Sequence, residues 1–301
     1  MDFSKEIKIA TGTATSAYLN LNSITAAPGV AVPFSGYMVD AVSYANGQYV
    51  GFVDVIAQRD GADTDIALLP QRNTLINVAV YGSTTRDFYD KLNDLNAACQ
   101  PYPAFAESQD GFRSLDFTQP TMLSPYSASG IPMRLAVRPT ALPSYNLTST
   151  LVSPQTTDRG ITTRVTIGLM SKDPRKLCQT PVTGTISLSS GTGTATLTNN
   201  GNYNAYPTFT ITSNLTTAAT ATISTSLWTT ALSIGTGATT TVLNSSARTV
   251  TSNGTLLMSS LGSATTKMPV LLSGSNTITV AFTGGAGYPT SIAYSFQEAW
   301  I

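Results

Sequence analysis

Three carboxylates, Asp60, Asp63 and Asp65, lie within the segment RDGADTDIALLP, close enough along the chain to gather around a calcium ion. A calcium loop of the EF-hand kind closes with a bidentate Glu, which is missing here, and Asp60-Gly61 reads as a tight turn. These residues are expected to hold no metal. The chain has no histidine. That removes Ser-His-Asp and Cys-His nucleophile systems, His-ligated zinc and imidazole bases together. Glycoside hydrolysis needs two carboxyl groups flanking the bond, and beyond Cys178 only Glu298 and the terminal carboxylate supply one. The glycine-rich pieces contain no GK[ST] to cradle a phosphate and read as β-turns. The expectation is no catalytic, cofactor-binding or metal residues, no cofactor and no enzyme; a cell-wall hydrolase is the enzymatic alternative, and its residues are absent.

Two cysteines, Cys99 and Cys178, have no CxxC or metal-ligand spacing and read as buried free thiols. The sequons at Asn146, Asn214, Asn244 and Asn253 are expected by chance in a chain so rich in Thr and Ser. What remains for recognition is aromatic. Tyr203, Tyr206, Trp228, Tyr288 and Trp300 could stack on sugars if they face solvent, although aromatics in strands more often belong to a core. For Trp300, one residue from the terminus, the reading is burial, on its own domain or across the domain boundary.

Those side chains need elements to position them. The chain has 301 residues, 42% hydrophobic and 11% charged, with a formal net charge of zero, enough to bury a sizeable core in two domains. The charge balance argues against a phosphate-contacting nucleic-acid surface. No apolar run approaches a membrane span, and the N-terminal MDFSKEIKIA lacks the apolar core of a signal peptide, so the chain is expected to be soluble and made in the cytoplasm. Of sixteen basic and sixteen acidic residues, only Arg248, Lys267 and Glu298 lie beyond Cys178. Composition switches there from mixed sequence to Thr, Ser, Gly and Asn, which places a boundary near SKDPRKLCQTP and gives domains of 1–178 and 179–301.

In the first part, Thr84 to Cys99 has Phe88, Leu92, Leu95 and Cys99 at helical spacing, with Thr84 and Asp87 as a capping-box-like start. Strands are expected at Leu75–Tyr81, Leu115–Phe117, Met133–Val137 and Thr162–Met170, the last with Val165, Ile167 and Leu169 on one face. In the second part, Asn276–Phe282 and Ile292–Phe296 alternate, and NNGNYNAYPTFTITSN runs a turn into a strand with Phe209 and Ile211 inward. Asn200-Gly201 in that turn is expected to take positive φ. The pattern is that of a β-sandwich or jelly roll.

The order of these pieces resembles the distal tail protein family of long-tailed, siphovirus-type bacteriophages. The likeness rests on LINVAVYGSTTRDFYDKLNDLNAAC, DGFRSLDF and SKDPRKL, then on NNGNYNAYPTFTITSN, SARTVTSNGTLLM, LLSGSNTITVAFTG and the terminal YSFQEAWI. It implies a mainly β protein, with an N-terminal β-barrel or sheet domain carrying one helix and a galectin-like or jelly-roll C-terminal β-sandwich facing outward. It further implies a structural virion protein of the phage tail, a baseplate hub whose hexameric ring joins the tail tube protein to tail-tip and tail-associated proteins. A carbohydrate-binding tail component recognising a host surface glycan is the alternative. Neither reading involves sequence-specific nucleic-acid binding or membrane insertion. A surface so poor in charge also fits a protein covered by neighbours in an assembly.

Overall fold

A computed structural model describes residues 7–10, 18–23, 35–45, 72–100, 112–121, 126, 129–145, 161–171, 173, 175–262 and 267–301. Asp60, Asp63, Asp65 and Asn146 lie outside the described residues. The chain forms two compact units, Met1–Pro174 and Arg175–Ile301.

The first unit contains β1 (Ile7–Ala10), β2 (Tyr18–Asn20), β3 (Gly36–Ala45), β4 (Arg72–Gly82), α1 (Thr85–Ala98), β5 (Arg113–Gln119), β6 (Ile131–Pro139), β7 (Ser144–Tyr145) and β8 (Ile161–Ser171). These strands run in the order β2-β1-β5-β6-β8-β4-β3, with β7 added on β8. Alternation explains the sheet: Val165, Ile167 and Leu169 of β8 are buried, and Val78 and Ile76 of β4 stand directly opposite the first two. The helix forms where the apolar spacing predicts it. Thr84 is its N-cap and accepts from Asp87 N at 3.1 Å, while Phe88, Leu92, Leu95 and Ala98 face inward. Asp87 in turn accepts from Ser83 N and Ser83 Oγ, so the cap is reciprocal but shifted by one residue from the usual box.

The second unit contains β9 (Lys176–Cys178), β10 (Val182–Ser187), β11 (Thr192–Asn199), β12 (Thr208–Leu215), β13 (Ala219–Ser224), β14 (Thr229–Ile234), β15 (Gly237–Asn244), β16 (Thr249–Ser252), β17 (Thr255–Leu256), a 3-10 turn at Met258–Ser260, β18 (Gly274–Thr283), β19 (Ser291–Phe296) and β20 (Ala299–Trp300). One sheet runs β10-β19-β12-β15-β16-β17 and the other β11-β18-β13-β14, while β20 pairs with β9. The two sheets share one core, in which Phe209, Ile211, Leu243 and Ile292 of the first meet Ile223, Ile278 and Val280 of the second. This is a β-sandwich, with mostly apolar residues inward, joined by a few such as Ser213 and Thr241, and Thr, Ser and Asn dominating outward.

The turn at Asn200-Gly201 differs from the sequence expectation. Neither residue takes a positive φ; positive φ falls elsewhere, for example at Ser190, Gly191 and Asn253. Gly201 is needed because backbone passes close by: a Cβ there would lie 2.1 Å from the carbonyl oxygen of Ala299 and 2.7 Å from its nitrogen. The turn is thus packed onto the terminal strand β20.

Candidate functional site

Two places in the molecule hold side chains in arrangements beyond simple packing. The first is the edge of the sheet in the first unit. Among the described residues β3 is an edge strand, ten residues long, whose one charged side chain, Asp40, accepts from Arg164 Nε at 3.0 Å. A register shift between Val39 and Ala41 bends the strand beside this pair. Tyr37 fastens β3 to the helix, donating its hydroxyl to the Lys91 carbonyl at 2.8 Å. Burial pushes the Tyr37 phenol well above its ordinary pKa, with the Asp94 and Asp87 carboxylates adding to the effect. At the other end of the helix, Cys99 is the C-cap, and Arg113 donates to the carbonyls of Ala98 and Gln100. Burial raises the Cys99 thiol to about 12, the Arg113 charge opposing it, and burial also lowers the Arg113 pKa. Both groups are structural: the arginine closes the helix and the thiol stays protonated.

The second place is the outer face of the six-stranded sheet in the second unit. Because Phe209 and Ile211 of β12 point into the core, Thr208, Thr210 and Thr212 point out. Residues opposite one another share a face, so Thr208 lies in a row with Asn244 and Ser295, and Thr210 in a row with Val242 and Ala293. Strand β10 extends the rows with Thr183 beside Ser295 and Thr185 beside Ala293. The result is a carpet of hydroxyl and amide groups. Two cavities open on it. One, of about 350 Å³, is lined by Arg175, Tyr206, Thr208, Asn244, Ser295 and Gln297 among others. The second, of about 390 Å³, is lined by Thr210, Thr212, Tyr288 and Ala293 among others.

A tyrosine marks each cavity. The Arg175 guanidinium lies 4.6 Å from the ring centroid of Tyr206, a cation-π distance. Tyr288 is fixed by its hydroxyl, which donates to Gly284 O at 2.6 Å, and by tilted contact with Phe282 at 5.5 Å. Its ring also lies over Gly191, where a Cβ would come within 2.6 Å of it.

The five candidate aromatics therefore separate. Trp228 is buried and donates its indole N–H to the Val270 carbonyl at 2.7 Å, and Trp300 is 5% exposed in β20. Both belong to the core, as was expected of Trp300. Tyr203 is half-buried and bridged to Ala299. Only Tyr206 and Tyr288 reach the cavities. Arg175 was missed, because SKDPRKL reads as a boundary and nothing along the chain links it to Tyr206. The carpet was missed because Thr and Ser carry no directional signal until the register is known.

Among the described residues no group of three or more His, Cys, Asp or Glu side chains is placed to hold a metal ion. Among them, no helix is long and apolar enough to cross a membrane.

No protein-family model matches the chain, and no curated protein sequence does. Its structure is similar to the crystal structure of the phage SPP1 Dit protein, described as a paradigm of the hub adsorption apparatus in phages infecting Gram-positive bacteria. The TM-score is 0.55 at 16% sequence identity, covering 88% of this chain and 94% of that one. The structure of the infectious bursal disease virus Gx strain aligns with a TM-score of 0.15 at 12% identity, over 99% of this chain and 72% of that one, too weak to carry any argument. The two-unit fold described above, a sheet with one helix followed by a β-sandwich, is thus similar to the fold of the SPP1 Dit protein.

Proposed function

We propose that this chain is a structural component of a phage tail, a distal tail hub that forms a ring between the tail tube and the tail tip. The observation that carries the reading is the extent of the fold match: it spans both units and nearly the whole of the SPP1 hub protein, so the likeness is one of architecture rather than of a single sandwich. In this reading the first unit, with the boundary at residues 171–181, assembles the ring and the sandwich faces outward. The long β3 edge fits lateral assembly. Its single charge is paired with Arg164, and Tyr37 ties it to the helix, so a neighbouring copy would meet a strand already anchored to the unit's own sheet and helix. A hexamer is the ring size that the family resemblance implies. The role is one of shape and contact, without catalysis, and it places the protein in the virion.

Native mass spectrometry of the purified full chain at micromolar concentration tests this. Hexamers or species derived from a ring are expected. A strict monomer, both alone and with a tail tube protein added, would overturn the hub reading.

A further inference from the structure

We propose that β11, the edge strand of the second unit's four-stranded sheet, pairs with the same strand of a second copy of this chain, the two running antiparallel about a two-fold axis at Thr196. The argument starts from the backbone groups that the sheet leaves over. Phe282 N donates to the carbonyl of Gly191 directly across the ladder, and from there the bonded positions alternate, so Gly193, Ala195, Leu197 and Asn199 turn their amides to β18. Thr194, Thr196 and Thr198 turn theirs outward, and among the described residues no backbone group meets them. Thr192 also points outward, but it is closed by exchanging bonds with Ser189. The eight residues of β11 pair with β18 without a register shift, and they include no charge and no proline, so the usual devices that blunt an edge are missing. The other edges of the sandwich are covered or short. Along β14 the chain at Leu261 and Gly262 bonds to Leu232 and Ala231, β17 has two residues, and β10 has six and is entered through Pro181.

A second β11 fits this edge in one register. For all three outward threonines to exchange both bonds, Thr196 must face its own counterpart and Thr194 must face Thr198 of the second copy. The side chains then agree on both faces. Outside, threonine meets threonine, a favourable cross-strand pair. Inside, Ala195 comes opposite Leu197 of the second copy, which carries the apolar layer of one core toward the other. No like charges meet, because the strand has none, and an isologous contact of this kind closes on itself. A foreign extended peptide suits the edge less well. Strand addition draws its specificity from pockets for alternate side chains, and the outward side chains of β11 are threonines alone. The inference does not rest on the tail-hub reading, which puts the ring contacts on the first unit.

Disulfide trapping in the full chain tests the pairing and its register. Residues in a bonded antiparallel pair have Cα atoms about 5.5 Å apart, a span that a disulfide bridges. The native Cys99 and Cys178 are buried and stay out of the reaction. Thr196→Cys, mildly oxidised at micromolar concentration, is expected to run as a covalent dimer on a denaturing gel without reductant. Thr194→Cys and Thr198→Cys should each stay monomeric alone and form the dimer when mixed. Thr277→Cys, exposed on the neighbouring strand β18, controls for chance collision and should stay monomeric. Thr196→Pro removes an outward N–H without touching the ladder to β18, so it should keep the melting temperature and weaken dimerisation about tenfold in analytical ultracentrifugation. The cysteine variants decide the matter by themselves if the proline disturbs folding. No covalent dimer from Thr196→Cys overturns the proposal. So does a dimer from Thr194→Cys alone or Thr277→Cys in equal yield, or dimerisation untouched by a folded Thr196→Pro. A hexamer that persists in native mass spectrometry while Thr196→Cys fails to cross-link removes this edge and leaves the hub reading in place.

Discussion

Arg113 donates through Nη2 to the carbonyl of Gln100 at 2.6 Å, just past the end of α1, while its Nη1 donates to the carbonyl of Ala98. A helix leaves its last carbonyls without partners, and here a side chain from β5 supplies two donors and a positive charge at the negative end of the helix dipole. One residue thereby ties the helix to the sheet. Replacing it with Met keeps much of the buried stem but strands both carbonyls. Arg113→Met should cost about 2 to 4 kcal/mol of unfolding free energy in urea titrations. Ser114→Ala, on the same strand, should stay within about 0.5 kcal/mol. Equal stabilities for the two variants would remove the closing role.

The other end of the helix is sensitive to acid. Burial works to raise the Asp87 pKa, but hydrogen bonds from Ser83 N and from the Ser35 and Ser83 hydroxyls, with the Lys91 charge, outweigh it and leave the carboxyl below its ordinary value. A carboxyl depressed in the folded state stabilises above its unfolded pKa, about 3.9, and that contribution fades as pH falls through the folded value. The stability gap between the parent and Asp87→Asn should therefore be open at neutral pH and close on acidification. A gap of constant size down to the acid limb would show that the charge is not what holds the cap.

Legibility followed the contrast between neighbouring residues. The helix could be read because Phe88, Leu92 and Leu95 stand out against Arg86, Asp90 and Asn93, and Val165, Ile167 and Leu169 alternate with Arg164 and Thr166. Strand β13 could not. Its inward Ala219 and Ala221 alternate with Thr220 and Thr222, residues too similar in hydropathy to reveal a face. The same poverty hid the candidate site, since an outward Thr210 and a buried Thr241 look identical until pairing fixes which side each takes. Arg175 and Tyr206 meet only because the chain folds back, and no spacing rule anticipates that.

The two thiols should be silent in the folded protein. Cys99 is fully buried with its pKa raised to about 12, and Cys178 is buried at 1% exposure. Since the thiolate is the reacting form and access is closed, a chromogenic disulfide reagent at pH 8 should find no thiol in the native chain and both after denaturation. Rapid native labelling of Cys99 would show that the helix C-terminus opens.

The last prediction concerns the clasp between the turn at Gly201 and the terminal strand. Tyr203 N donates to Ala299 O at 3.0 Å, Asn200 donates from backbone and side chain to the buried Glu298 carboxylate, and Trp300, next along β20, is 5% exposed. Gly201 fits because nothing projects from it toward Ala299. Were the glycine present for a left-handed backbone, Asn would replace it with little loss, since Asn visits that conformation readily. Because close approach is the reason, Gly201→Asn should be at least as damaging as Gly201→Ala, each costing about 1 to 3 kcal/mol by forcing β20 away. Trp300→Ala should cost about 3 to 5 kcal/mol, the range for truncating a large buried aromatic. Both changes act on the seating of β20, Gly201 through Ala299 and Trp300 through its own burial, so Gly201→Ala combined with Trp300→Ala should cost clearly less than their sum. Tolerance of Asn at 201, or strict additivity in the double variant, would show that the turn and the terminal strand hold the sandwich independently.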